Sequence, residues 1–201
     1  METIANMSHQ AHFTQVKEYV LKKWQKSARY KDFIINLTDE EVKKAKEVAK
    51  SRLDKNRKLG RRKGNLKREI LGSLGEFASI KWFVENGYEA SFKKFFDSNV
   101  ELNHKDEFDT DLVWNGNDLS VEIKATEKPM NSKLIVPKKQ FEKSNAEIYV
   151  LICQIDEKTY CIKGFAKSDD LSEDDSLKFP GYSVSENSLK INLEDLLNNE
   201  N

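Results

Sequence analysis

Cysteine is almost missing from this chain. Its two residues, Cys153 and Cys161, stand in stretches that read as adjacent strands, with no CxxC spacing. They do not suggest a disulfide framework or a zinc site, they are too few for a four-thiolate cluster, and they fit a reducing compartment. Long apolar runs are missing too, and nothing approaches the ~20 residues of a membrane-spanning helix. Residues 1–10 hold no apolar leader core, so the expected location is cytoplasmic. No GxxxxGK[ST] loop occurs, which disfavours nucleotide-driven machines.

Net charge is also absent, since 34 basic residues balance 34 acidic ones. The balance hides a polarity along the chain. Residues 43–68 carry thirteen Lys or Arg against Glu47 and Asp54, a local +11, while residues 169–201 carry nine Asp or Glu against Lys178 and Lys190, a local −7. A charge run is ordinarily a solvated helix face, but one this one-sided calls for a counter-charge, and polyphosphate is the natural candidate. Hydrophobic residues make up 38% of the chain, enough for a core, and the 201 residues fit one ordinary domain with an appended arm.

Phe13, Val16, Tyr19, Val20 and Trp24 recur at helical spacing, so the first segment reads as an amphipathic helix for packing or self-association, followed by an apolar patch at Phe33, Ile34 and Ile35. His9 and His12 fall near its start, where solvent exposure is the expectation. Thr38 with Glu41 three residues on forms a capping box, opening a helix with the stripe Val42, Ala45, Val48, Ala49 and Leu53. Gly60 and Gly64 bracket the basic loop Arg61-Arg62-Lys63. A third helix is expected over residues 65–86, stopped by Gly87 in a left-handed conformation. Inside it Gly72 and Gly75 each cost about 1 kcal/mol relative to alanine, which close approach to another backbone would offset. Glu76 is a carboxylate within the apolar stretch Leu-Gly-Glu-Phe-Ala.

From Tyr88 the period changes to that of strands. They are expected at residues 89–96, 108–114, 119–126, 148–152 and 160–166, with short helices at 137–144 and 193–197 and a polar, acidic tail. Helices and strands in this order predict an α/β sheet protein, with residues 1–64 as a helical, basic extension and 65–201 as the core. In the strand at 119–126, Ser120, Glu122, Lys124 and Thr126 share one face. Asn115-Gly116 signals a hairpin. A two-residue loop there pairs Asp111 with Ser120 and Asp109 with Glu122; a loop at Gly116-Asn117 pairs Asp111 with Glu122. Either register puts the aspartates on the Glu122–Lys124 face, about 5 Å apart at Cβ where side chains lie directly opposite, close enough to hold a divalent ion. The bland alternative is a surface hairpin carrying ordinary cross-strand ion pairs.

Asp111-x10-Glu122-Ile123-Lys124, preceded by Leu74-Gly75-Glu76-Phe77-Ala78, resembles the PD-(D/E)XK, or restriction-endonuclease-like, nuclease superfamily over residues 66–170. Gln140 matches the Gln or Lys on the helix after the third strand, and Ile162-Lys163-Gly164-Phe165-Ala166 is similar to the closing strand. One departure is Thr110, where many members have proline. The resemblance implies a central mixed sheet flanked by helices and a magnesium- or manganese-dependent endonuclease, with DNA the expected substrate. It implies Asp111, Glu122 and the Ile123 carbonyl as metal ligands, with Asp109 the rival of Asp111. Glu76 would act through water or hold a second ion, Lys124 would orient the attacking water and offset transition-state charge, and Gln140 would position the scissile strand. Arg57, Lys58, Arg61, Arg62, Lys63, Lys67 and Arg68 are expected to grip the nucleic-acid backbone, and a homodimer through the N-terminal helix is a further expectation. The rival expectations are a catalytically silent nucleic-acid-binding or inhibitory module of the same fold, and an adaptor whose basic helix meets an acidic partner.

Overall fold

The computed structural model describes residues 2–58, 65–90, 110–114 and 117–198. Helix α1 (Glu2–Gln25) buries Val20 and Trp24 and leaves Tyr19 exposed. Strand β1 (Ile34–Asn36) is short. Helix α2 (Asp39–Lys58) opens on the expected capping box, the Glu41 N–H donating to Thr38 Oγ1 at 3.2 Å and the Thr38 N–H to Glu41 Oε2 at 2.7 Å. Helix α3 (Leu66–Glu85) starts at Asn65, whose side chain accepts the Lys67 N–H, and Gly87 follows its end at φ +83°, as its stop signal predicts.

Strands β2 (Glu89–Ala90), β3 (Thr110–Trp114), β4 (Asn117–Thr126) and β5 (Lys133–Pro137) follow, then the one-turn helix α4 (Lys138–Phe141). The chain continues through β6 (Ile148–Gln154), β7 (Thr159–Lys167), β8 (Ser172–Glu173), β9 (Gly181–Ser185) and helix α5 (Leu193–Leu197). Six strands form one sheet in the order β1-β7-β6-β4-β3-β2, in which β4 and β6 run parallel and the other neighbours antiparallel. A second, antiparallel sheet has the order β5-β9-β8. The molecule is therefore α/β with a mixed main sheet.

Three expectations change. The Phe33–Ile35 patch supplies an edge strand, β1, paired to β7. The acidic tail is not featureless: β8 and β9 form a hairpin in it, and β9 pairs with β5 to build the second sheet. Of the strand expected over residues 89–96, only Glu89 and Ala90 belong to the described residues.

The main core lies on the helical face of the six-stranded sheet and draws on both sides of residue 64. Ile35, Leu37, Val42 and Ala45 meet Leu74, Phe77, Trp82, Phe83, Val121, Val150 and Ile162 there. Gly75 is what lets α3 approach so closely. A Cβ on it would lie 2.7 Å from the Ala125 Cβ and 3.2 Å from Ile152 Cγ2, whereas one on Gly72 would meet nothing within 4 Å. The close-approach expectation thus holds for Gly75 and fails for Gly72. On the opposite face the second sheet and α4 cover Tyr149, Leu151 and Ala166, and α1 covers Cys153 and Cys161. Among the described residues no helix is long and apolar enough to cross a membrane.

Candidate functional site

The register of β4 against β6 pairs Glu122 with Tyr149 and Lys124 with Leu151. Glu122 and Lys124 therefore point away from α3, toward the second sheet. Phe141 stacks on Tyr149 and Tyr182, with centroids 6.0 Å and 4.2 Å apart, and fixes α4 as a roof over this face. Gln140 donates from that roof through Nε2 to Glu122 Oε1 at 2.6 Å, and Lys124 Nζ reaches the same oxygen. Burial draws the Lys124 ammonium below the ordinary lysine value, and Glu122 partly offsets that.

Glu122 is only 4% exposed. With Oε1 engaged twice, its Oε2 is buried without a hydrogen-bond partner among the described residues, as is the nearby Ser120 Oγ. An unsatisfied buried acceptor of this kind costs about 1–3 kcal/mol, and more when charged. A hard divalent cation, which prefers carboxylate oxygens, fits that atom.

The hairpin adopts the first of the two expected registers, with Trp114 opposite Asn117 and Asp111 opposite Ser120. Asp111 is thus placed at the Ser120–Glu122–Lys124 parity, one diagonal step from Glu122. Its side chain, and all of Asp109, lie outside the described residues, as do Asn115 and Gly116. Among the described residues β3 reaches β4 only as far as Val121, so from Glu122 to Thr126 β4 is paired on its β6 side alone. Ile123 packs its side chain against the main core.

Glu76 stands on α3, across β4 from the Glu122 carboxylate. It is held by a residue the sequence reading passed over: Arg52 Nη1 donates to Oε1 at 2.9 Å and to Oε2 at 2.7 Å. Burial pushes the Glu76 carboxyl up, Arg52 opposes that, and the charges of Glu69 and Glu122 add to the rise. No hydrogen bond joins Glu76 to Glu122. Arg52 was hidden among thirteen basic residues. The one signal that singles it out is its place beside Leu53, at the margin of the apolar stripe that α2 turns toward α3.

Of the expected backbone-gripping residues, Arg57 and Lys58 are exposed at the end of α2 and Arg68 in the first turn of α3. Lys67 pairs with Glu127, just beyond β4, at 2.8 Å. Arg61, Arg62 and Lys63 lie outside the described residues. Among the described residues no three His, Cys, Asp or Glu side chains gather into a ready-made cation cage. The chain matches no family model and no curated protein.

Proposed function

We propose that this protein is a PD-(D/E)XK-type, divalent-metal-dependent nuclease, acting on DNA. The observation that carries the reading is the buried Glu122 carboxylate, with Oε1 held by Gln140 and Lys124 and Oε2 left without a partner. Glu122, Asp111 and the Ile123 carbonyl would hold Mg2+ or Mn2+. When bound, the ion polarises the phosphodiester and lowers the pKa of a coordinated water. Gln140 fixes which Glu122 oxygen stays open. Lys124 supplies positive charge beside the reacting phosphate, where water is excluded and charge is poorly screened. Arg57, Lys58 and Arg68, with the basic segment between them, steer the polyanion toward the site.

The hold of Arg52 on Glu76 favours a second reading, a module of the same fold that binds nucleic acid without cutting it. Linear and circular DNA incubated with Mg2+ or Mn2+ separate the two. The nuclease reading expects cleavage that Lys124→Ala abolishes while DNA binding survives. Tight binding with no cleavage of any tested substrate by the wild type establishes the second reading instead.

A further inference from the structure

We infer that Arg52 restricts the Glu122 site to a single divalent ion, by occupying Glu76 as a built-in counter-cation. The inference rests on the reading that this site takes a metal.

Both Glu76 oxygens receive the same guanidinium nitrogen, and the two side chains are only 18% and 15% exposed, Glu76 first. Ala49 and Leu53 are buried on either side of Arg52 along α2, so the guanidinium is presented to α3 by a packed helix rather than a loose one. A second ion at Glu76 would have to displace this guanidinium and leave it beside new positive charge, in a place where water screens poorly.

The charge balance points the same way. Glu76 and Glu122 are matched by Arg52 and Lys124, and Asp111 adds one further negative charge. With Asp111 as the ligand of the proposed reading the net charge is −1, so one divalent ion brings it to +1, and a second would bring it to +3 in a mostly buried site. The open Glu122 Oε2 lies on the second-sheet side of β4 and the Arg52–Glu76 pair on the helical side, so the first ion can enter without breaking the pair.

Mn2+ binding to the full chain, counted from the electron paramagnetic resonance signal of free Mn2+, tests this. Wild type and Glu76→Gln are each expected to bind one ion, because Glu76 is not a ligand. Arg52→Met should bind a second ion, raising the count from one to two. Arg52→Lys should retain the wild-type stoichiometry, and the double variant Arg52→Met/Glu76→Gln should return to it. Two ions on the wild type, loss of the ion in Glu76→Gln, or an unchanged Arg52→Met would each overturn the inference. If Arg52→Met fails to fold by circular dichroism, Glu76→Gln decides alone. One bound Mn2+ without DNA cleavage sinks the nuclease reading and leaves the Arg52 inference standing. No ion on the wild type sinks the metal site as read and the single-ion inference with it.

Discussion

Two glycines one helical turn apart in α3 have opposite surroundings, and so opposite expected effects when a methyl is added. Gly75→Ala drives a Cβ into Ala125 and should cost about 1–3 kcal/mol by overpacking. Gly72→Ala meets open space, gains helix propensity, and should stabilise by about 1 kcal/mol. Urea denaturation of the two variants reads both signs, and equal effects would refute the packing described for α3. Lys163 is a second single-residue case. It falls at the bulge where the β6–β7 register shifts, Ile152 pairing with Ile162 and Leu151 with Gly164, so its side chain is re-aimed inward. At 1% exposure its ammonium binds the Pro129 and Asn131 carbonyls and Glu186 Oε2. Lys163→Met leaves these acceptors short of a donor and should lose about 3–5 kcal/mol, measured by thermal or urea unfolding. At this scale the Glu122–Lys124 face was legible, because strand parity needs no tertiary information. Arg52 and Lys163 were not, because their partners are set by helix packing and by a bulge that no local pattern announces.

Among the elements, α1 seals the pair Cys153–Cys161, which face each other across β6 and β7 beneath Val20 and Trp24. Burial pushes the Cys153 thiol up to about 12 and the Cys161 thiol further up. In the unfolded chain both ionise near pH 9.0, so the folded state, which cannot follow, is penalised above that value. Their contribution is fully present below pH about 9 and drains away as pH rises toward the folded value. The urea midpoint should therefore fall between pH about 8 and about 11, and a flat or rising midpoint would contradict the burial. In the native protein near neutral pH, neither thiol should react with a thiol reagent until Trp24→Ala or urea lifts α1. Helices α2, α3 and α5 were readable from caps, stripe and stop, all of them signals within a few residues. Strands β1, β5 and β9 escaped because each is three to five residues long and has a partner far away in sequence, and β8 because it is only two residues long. Ile34-Ile35 and Leu134-Ile135-Val136 are apolar, but runs of two or three such residues do not by themselves separate a strand from a helix start or a buried turn.

At the scale of the whole molecule, the basic segment and the hairpin meet through Lys67 and Glu127. On the DNA-binding reading proposed above, Glu127→Gln frees Lys67 for phosphate, so the salt dependence of DNA binding should steepen by about one unit in the log–log slope. An unchanged slope would show that Lys67 takes no part in gripping the backbone. The parallel pairing of β4 with β6 has another consequence, which concerns the order of events during synthesis. Residues 127–147 form the crossover between these strands and carry both β5 and Gln140. Among the described residues β5 pairs with β9 alone, at residues 181–185. A ribosome-bound chain lacking that strand can build the helical face of the main sheet, yet it has no second sheet to hold α4 against Glu122. The centre should consequently stay unassembled until residues 181–185 have emerged, so that, on the nuclease reading proposed above, a growing polypeptide has no organised site with which to attack nucleic acid around it.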